Sequence, residues 1–338
     1  MDISELREIM LLSARTGSDS SYYTGKNRLD EPIRFKRTYR SPVMGLANLW
    51  ELWIDSESRQ AAISIRGSVM EIDSWLANIY AAMIPAKGRI KSGKDKFIEY
   101  DLASDPKAAV HAGWLIAAVI LMDDMQPRID SCVQAGISDF IVTGHSQGGA
   151  IAYMTTALLY KMRASGKIPQ TSRIKTYCSA APKPGNLYFA YEYESNSQGG
   201  WAFNIVNPLD WVPEVPFSIQ TVDDFNEVNP FSDAKALINK QKQPIRFLLK
   251  KIYRKLSKPA KRARKNYQKY LGKYLSKIVS KKLDGTRPEE FFPSNNYVRT
   301  GQMWLLQPDE EYLKNNPMAH IKGFPHHMHH SYIYLIKP

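Results

Sequence analysis

Short apolar runs alternate with longer helical patterns along this chain. Phe140, Ile141 and Val142 form a run typical of a buried strand, and comparable runs lie at 49–55, 60–66, 173–181, 202–206 and 297–306. Apolar residues at helical spacing mark 2–13, 105–134 and 150–159, with an interruption expected near Pro127. Strands that alternate with helices predict an α/β fold whose mainly parallel central sheet is covered by helices on both faces.

A basic segment stands apart from this alternation. Residues 242–282 contain 16 Lys and Arg and no Asp or Glu, whereas the rest of the chain carries 30 basic and 33 acidic residues. Apolar residues recur at helical spacing on both sides of Pro259, which predicts two amphipathic helices separated by that proline. We therefore expect one domain built from 1–221 and 294–338, with a basic helical insertion at 222–293.

The net charge of +13 thus originates in the insertion. One interpretation is a platform that rests on an anionic membrane surface. The other is a helical cap packed on the main domain, with a basic face that is only solvated. Nucleic acid is a less favoured partner, because the segment contains no recognisable binding module. The cations expected to face lipid are Lys250, Lys251, Arg254, Lys261, Arg262 and Arg264.

Composition sets further bounds. The 338 residues, 43% of them hydrophobic, suffice for one large α/β domain with a substantial core. Cys132 and Cys178 do not amount to a disulfide framework, so two buried thiols are expected. The acidic N-terminus does not resemble a secretory signal, and no apolar run approaches the ~20 residues that span a bilayer. We expect a cytoplasmic or peripheral membrane protein by default, with leaderless secretion left open and the oligomeric state unspecified.

The most informative motif follows the strand at 140–142. Gly144-His145-Ser146-Gln147-Gly148 fits G-x-S-x-G, and a helical pattern begins directly after it. A sharp strand-to-helix turn of this kind exposes the central serine hydroxyl at a helix N-terminus, where developing negative charge is stabilised. We therefore expect Ser146 to be a nucleophile.

A serine nucleophile needs a base, and the base needs an acid that orients it. Asp210 follows the strand at 202–206 directly, and chain order favours it as the acid, although a turn-forming role is the simpler alternative. Glu214 is the reserve acid.

Five of the seven histidines lie at 320–330, and spacing alone does not select the base among them. His145 is expected to form a wall of the site, because the tight turn directs it away from the serine. His111 lies in an apolar pattern and is expected in the core. No Cys, Asp or Glu cluster accompanies the histidine pairs, so neither a metal nor another cofactor is expected.

The site also needs donors for an oxyanion. The backbone N–H of Gln147 is one candidate, because it follows the nucleophile. The loop at Gly67-Ser68, after the strand at 60–66, is the candidate for the second donor, unless it is an ordinary turn.

Four sequence blocks together resemble the class 3, or fungal-type, lipases. They are 65–68 with 73–78, 110–114, 144–150 and 204–216. The resemblance implies an α/β-hydrolase fold, with Ser146 as nucleophile, Asp210 as acid, and the backbone N–H groups of Ser68 and Gln147 as oxyanion donors. In the bacterial-looking branch that the chain resembles, the base often opens a short final helix with an aromatic residue several positions on. His327 fits this pattern best, with Tyr332 as the aromatic.

His330 and His326 stay open as the base. The chain departs from the family pattern at Gln147, where leucine is common, and in the segment 222–293, which has no counterpart in the matched blocks. The segment 70–85 is expected to be a mobile apolar lid that includes Asp73, Trp75 and Met83.

The resemblance implies hydrolysis of acylglycerols or related carboxylesters through an acyl-enzyme. A phospholipase A-type enzyme on anionic membranes is the alternative within this chemistry. A non-catalytic membrane-binding protein on a hydrolase scaffold is the alternative from another class.

Overall fold

The computed structural model describes residues 1–17, 19–25, 27–93, 96–197, 200–316 and 324–337. The strands in this part of the chain are β1 (Lys36–Arg40), β2 (Trp50–Asp55), β3 (Gln60–Ile65), β4 (Met83–Pro85), β5 (Lys87–Ser92), β6 (Lys96–Asp101), β7 (Ala109–His111), β8 (Asp139–His145), β9 (Arg173–Ser179), β10 (Gly185–Asn186), β11 (Ala202–Val206), β12 (Arg287–Pro288), β13 (Tyr297–Val298) and β14 (Gln302–Leu305). The α-helices are α1 (Ile3–Thr16), α2 (Ile72–Ile79), α3 (Ala112–Gln134), α4 (Gln147–Ala164), α5 (Leu187–Asn196), α6 (Ala234–Lys240), α7 (Ile245–Gln268), α8 (Leu275–Lys282), α9 (Glu310–Asn315) and α10 (His329–Leu335).

The main sheet has the strand order β1-β2-β3-β8-β9-β11-β14. Strands β3, β8, β9, β11 and β14 pair in parallel, and β1 and β2 are added antiparallel at one edge. Along β8, Phe140 and Val142 pack into one buried cluster with α3 and α4, while Ile141 packs into a second cluster with α1 and α10. This alternation buries both faces of the sheet, and it confirms the predicted mainly parallel sheet with helices on either side.

The parallel strands bring their carboxyl ends to one edge of the sheet. Ser68 follows β3, Ser146 follows β8 and Asp210 follows β11, and the registers align Ile65 with Gly144. Functional side chains from distant parts of the chain therefore meet at this edge.

Two predicted interruptions are wrong. Pro127 lies inside α3 and Pro259 lies inside α7, and neither ends its helix. Proline removes one hydrogen bond from a helix. In α3 the packing of buried residues such as Met125 and Ile129 compensates for this loss. In α7 Pro259 is exposed, so water can satisfy the carbonyl that the missing N–H leaves unpaired.

The insertion forms a nearly continuous helical rod from Ile245 to Lys282. A π-helical turn, Lys269–Tyr274, joins α7 to α8. The two ends of the rod differ in their surroundings. No residue of α7 is buried, whereas Leu275 and Val279 of α8 belong to the main core.

The prediction for residues 297–306 is also corrected. Instead of one strand, this segment forms β13 and β14, which belong to two different sheets and are separated by a turn at Gly301 with φ of +83°. Cys132 and Cys178 are free and buried. Within the described residues, no helix is both long and apolar enough to cross a bilayer.

Candidate active site

Ser146 occupies a strained turn between β8 and α4. Its φ of 58° and ψ of −128° lie in a region that non-glycine residues rarely adopt. Gly144 and Gly148 make the turn possible, because a Cβ on either would lie within 2.3 Å of backbone atoms. The carbonyl of Ser146 accepts the first hydrogen bond of α4 from Ala150 N at 3.1 Å. The hydroxyl therefore stands at a helix N-terminus whose first N–H groups have no partner within the helix.

The structure brings His327 and Asp210 together. His327 Nδ1 lies 2.8 Å from Asp210 Oδ2, and the carboxylate is buried. Two more donors hold this carboxylate, namely Tyr332 OH at 2.8 Å and Val212 N at 3.0 Å. Because Nδ1 donates to the carboxylate, Nε2 of His327 is left free to act as a base. His327 and Ser146 line the same cavity.

His145 positions the loop that carries His327. Its Nε2 lies 2.5 Å from the carbonyl oxygen of His327, which can only accept, so Nε2 carries the proton and donates it. Its Nδ1 then accepts from Ser179 Oγ at 2.8 Å. Burial, together with His329 and His327 nearby, holds the pKa of His145 well below its usual value, so the ring is neutral. The sequence indicated only a wall of the site, and the supporting role was missed because it depends on a contact across 182 residues.

The reserve residues lie elsewhere. His326 Nδ1 is 2.8 Å from Tyr312 OH, and the His330 ring packs near Tyr22, with 6.3 Å between centroids. Glu214 is exposed, in a short 3₁₀ helix beyond Asp210. His320, one of the five C-terminal histidines, lies outside the described residues.

Two further histidines are buried, and burial lowers the pKa of each to about 3. His111 is in the core, as expected, where it caps α3 by accepting from Trp114 N at 3.4 Å. His329 lines the cavity beside His327, and its Nε2 lies 3.1 Å from Ser13 Oγ.

The two residues that carry the candidate oxyanion donors are in contact through their side chains. A Cβ on Gly67 would lie 2.8 Å from the carbonyl oxygen of His145, so glycine is needed where the Ser68 loop crosses the elbow. Gln147 N begins α4, where backbone N–H groups lack helical partners. Ser68 and Gln147 both line the cavity with Ser146.

The side chain of Gln147 ties these donors together. Its Oε1 accepts from Ser68 Oγ at 2.8 Å and from Ser74 Oγ at 3.2 Å, and its Nε2 donates to Asn48 Oδ1 at 3.0 Å. Asn78 Nδ2 donates to Ser68 Oγ at 2.9 Å. In the sequence, the only signal of this network was glutamine at position 147, where the family commonly has leucine. The three partners of the Gln147 side chain could not be predicted, because they lie far from it along the chain.

The expected lid is only partly as predicted. Trp75 of α2 is 39% exposed and lines the cavity, and Asp73 Oδ1 pairs with Lys282 Nζ at 2.6 Å. Met83 is a correction, because it lies in β4 and is completely buried. Helix α2 also packs backbone to backbone on α3, since a Cβ on Gly113 would lie 2.1 Å from Ala77 O. In the structure, α2 is therefore a closely packed wall.

The cavity above Ser146 has a volume of about 700 Å³. Most of its lining is apolar. The apolar side chains include Met70, Trp75, Ile79, Trp211, Val215, Phe217, Phe324 and Met328. Tyr267 and Leu271 of the insertion also line the cavity. Among the described residues, no group of His, Cys, Asp and Glu is arranged to hold a metal.

The candidate lipid-facing cations divide into two sets. Lys250, Lys251, Arg254 and Arg262 are exposed. Lys261 and Arg264 instead pair with Asp223, each at 3.0 Å.

One comparison with known proteins matches a family profile to the region that contains the serine elbow. The profile of the family described as Lipase (class 3) matches residues 62–220, which include Ser68, the elbow and Asp210. A comparison with curated proteins finds no significant match.

Several solved structures are similar to the chain. One is a fungal lipase–inhibitor complex, with 20% identity over 63% of this chain and 74% of that one, and a TM-score of 0.50. A deletion mutant of Rhizomucor miehei lipase with its propeptide shows 23% identity over 63% of this chain and a TM-score of 0.47. Lipase II from Rhizopus niveus shows 21% identity over 63% of this chain and 74% of that one, with a TM-score of 0.46.

The chain spans 62% of the length of the Rhizomucor miehei protein. The fungal inhibitor complex supports the α/β-hydrolase fold that the sequence blocks predicted. The matched family consists of lipases, which are carboxylic ester hydrolases, in agreement with the expected enzyme class. Residues 62–220 thus match the class 3 lipase family, which is the resemblance that the sequence blocks predicted.

Proposed function

We propose that this protein is a serine carboxylester hydrolase that acts on acylglycerols or related lipid esters through an acyl-enzyme. The observation that carries the proposal is the hydrogen bond between His327 Nδ1 and buried Asp210 Oδ2, at the cavity that also contains Ser146. This arrangement leaves His327 Nε2 free to take a proton from the serine.

In the first half of the reaction, His327 Nε2 removes the hydroxyl proton of Ser146 while Oγ forms a bond to the ester carbonyl carbon. The carbonyl oxygen becomes an oxyanion, which accepts hydrogen bonds from the N–H groups of Gln147 and Ser68. When the tetrahedral intermediate collapses, the bond to the leaving alcohol breaks. His327 gives its proton to that alcohol, and the acyl group stays on Ser146.

In the second half, water replaces the alcohol. His327 removes a proton from the water, whose oxygen attacks the acyl carbon. Collapse returns the proton to Ser146 Oγ and releases the carboxylic acid. Asp210 keeps its charge throughout and stabilises the imidazolium that forms in both halves.

The cavity favours a lipid ester over a small polar one. Its apolar walls extend to a rim where Met70 and Phe217 are 93% and 76% exposed. Exposed apolar side chains around a pocket are typical of a surface that meets an apolar partner.

The first half of α7 favours an anionic lipid surface. Ile245, Leu248, Ile252 and Leu256 share one helical face, and all four are exposed. Exposed cations occupy the remaining faces, and a helix of this kind binds in the plane of a membrane interface. The insertion would then bring the cavity to its substrate, and this feature supports a phospholipase A-type activity as the second candidate.

Hydrolysis of a triacylglycerol emulsion and of phosphatidylglycerol vesicles separates the two candidates. We expect fatty acid release from the preferred lipid, and complete loss of release in Ser146→Ala. Hydrolysis of phosphatidylglycerol alone would assign the phospholipase activity. Release from neither lipid nor from a soluble ester would favour the non-catalytic alternative.

Sedimentation with phosphatidylglycerol vesicles tests the membrane platform. Each Lys or Arg near an anionic surface contributes ~1 kcal/mol, so neutralising three should weaken binding about 100-fold. The neutralised variant changes Lys250, Lys251 and Arg254 to Gln. The matched control changes three exposed basic residues of the main domain, Arg59, Lys96 and Lys167, to Gln. Equal loss of binding in both variants would contradict a dedicated platform.

A further inference from the structure

The insertion contributes directly to the cavity that contains Ser146. Tyr267, near the end of α7, and Leu271, in the π-helical turn, both line this cavity. They are four residues apart, so they project from the same side of the rod. Both lie outside residues 62–220, the region matched by the family profile.

The π-helical turn is docked firmly beside the cavity. Ala82 N donates to Leu271 O at 3.2 Å, and Gln268 Nε2 donates to Phe292 O at 2.7 Å. Gly272 allows this close approach, because a Cβ there would lie 2.8 Å from Ala82 Cβ. A π-helical turn re-aims side chains within a helix, and such turns are frequent at functional sites.

The two sides of the turn differ in character. Tyr267 packs against a buried cluster that contains Met83 and Tyr297, and Leu271 packs against the main core. Lys273 and Tyr274 are exposed on the same turn. The docked side therefore presents a fixed apolar surface to the cavity, whereas the first half of α7 is exposed to solvent.

We propose that Tyr267 and Leu271 form a wall of the acyl-binding site and determine which acyl-chain lengths the enzyme accepts. This inference rests on the proposed ester hydrolysis, because the wall would act on the acyl group that this reaction places on Ser146. The shape of the wall would determine the selectivity for acyl-chain length. One additional methylene of the substrate that fits the pocket, or is excluded from it, changes kcat/KM about tenfold or more.

Leu271→Trp tests the wall, with p-nitrophenyl butyrate and laurate as substrates. The larger side chain should fill part of the cavity and lower the laurate-to-butyrate ratio of kcat/KM at least about tenfold. Leu271→Ala should enlarge the cavity and shift the same ratio toward laurate. Lys273→Trp is the matched control, because it places the same bulky side chain on the exposed side of the turn.

A laurate-to-butyrate ratio of kcat/KM within about twofold of the wild-type value in both Leu271 variants would contradict the proposed wall. An equal change in Lys273→Trp would also overturn it, because the effect would then not depend on the cavity. If Leu271→Trp does not fold, Leu271→Ala decides the question alone. Failure of the wild-type protein to hydrolyse either ester would instead refute the proposed function, and the acyl wall with it.

Discussion

Replacing Gln147 by methionine removes a buried polar network while it keeps the length and volume of the side chain. Gln147 is 2% exposed, and its amide contacts Ser68, Ser74 and Asn48. Methionine can neither accept from the two hydroxyls nor donate to Asn48 Oδ1. The backbone N–H of residue 147 is unchanged, so the variant tests positioning separately from the oxyanion donor itself.

The expected magnitude follows from the three partners that lose a hydrogen bond. A buried polar group left without its partner costs about 1–3 kcal/mol. Partial relaxation of the hydroxyls brings the expected loss to about 3 kcal/mol in the free energy of unfolding. Complete loss of one oxyanion donor lowers kcat by ~10²–10³, and a displaced Ser68 loop should produce part of that effect, about tenfold.

Urea unfolding and kcat on p-nitrophenyl butyrate measure the two effects. Gln126→Met is the matched control, because Gln126 is only partly buried and donates to Asp130 at 2.8 Å within one helix. The control should change the free energy of unfolding by less than about 1 kcal/mol. A Gln147→Met protein with wild-type stability and wild-type kcat would refute the assignment of Gln147 as a positioning residue.

Three further predictions follow from the site. His327→Ala should lower kcat at least about 10³-fold, whereas His330→Ala should stay within about tenfold of wild type; comparable losses in steady-state assays would contradict the choice of base. Burial lowers the pKa of His111 and His329 to about 3, below the ordinary value near 6.5. As the pH falls from 6.5 toward 3, the unfolded chain binds protons at these histidines while the folded chain does not, so the folded state loses stability. The free energy of unfolding measured in urea should therefore fall between pH 7 and pH 5 by roughly 2 kcal/mol for each histidine. If the difference in this free energy between His329→Gln and wild type does not change with pH, the expectation for His329 is contradicted. Gly148→Ala would place a Cβ 2.2 Å from Ile65 O, so it should abolish esterase activity and lower the unfolding midpoint in urea; an active, stable variant would contradict the elbow packing.

The sequence predicted the parts of the site that depend on local pattern and chain order. Ser146 lies between a β-branched strand and a helix, and Asp210 directly follows another strand, so both positions could be read without coordinates. The carboxyl ends of parallel strands then bring the two residues to one edge of the sheet.

The base could not be chosen in the same way. His326, His327 and His330 lie within one turn and the start of a short helix, where neighbouring side chains point in different directions that the sequence does not specify. The contact that favours His327 as the base joins its Nδ1 to Asp210 Oδ2, between residues 117 positions apart.

The insertion shows a second limit of the sequence pattern. An amphipathic helix has the same apolar periodicity whether protein or lipid covers its apolar face. The structure has both situations on one rod. Leu275 is buried against the core, whereas Leu256 is 72% exposed.

Mapping of a fluorophosphonate adduct by mass spectrometry tests whether His327 and Asp210 activate Ser146. We expect one covalent adduct, on Ser146, that is absent in Ser146→Ala and forms at least about 10³-fold more slowly in His327→Ala. An adduct on another residue, or an equal rate in His327→Ala, would contradict the proposal that His327 and Asp210 activate this serine.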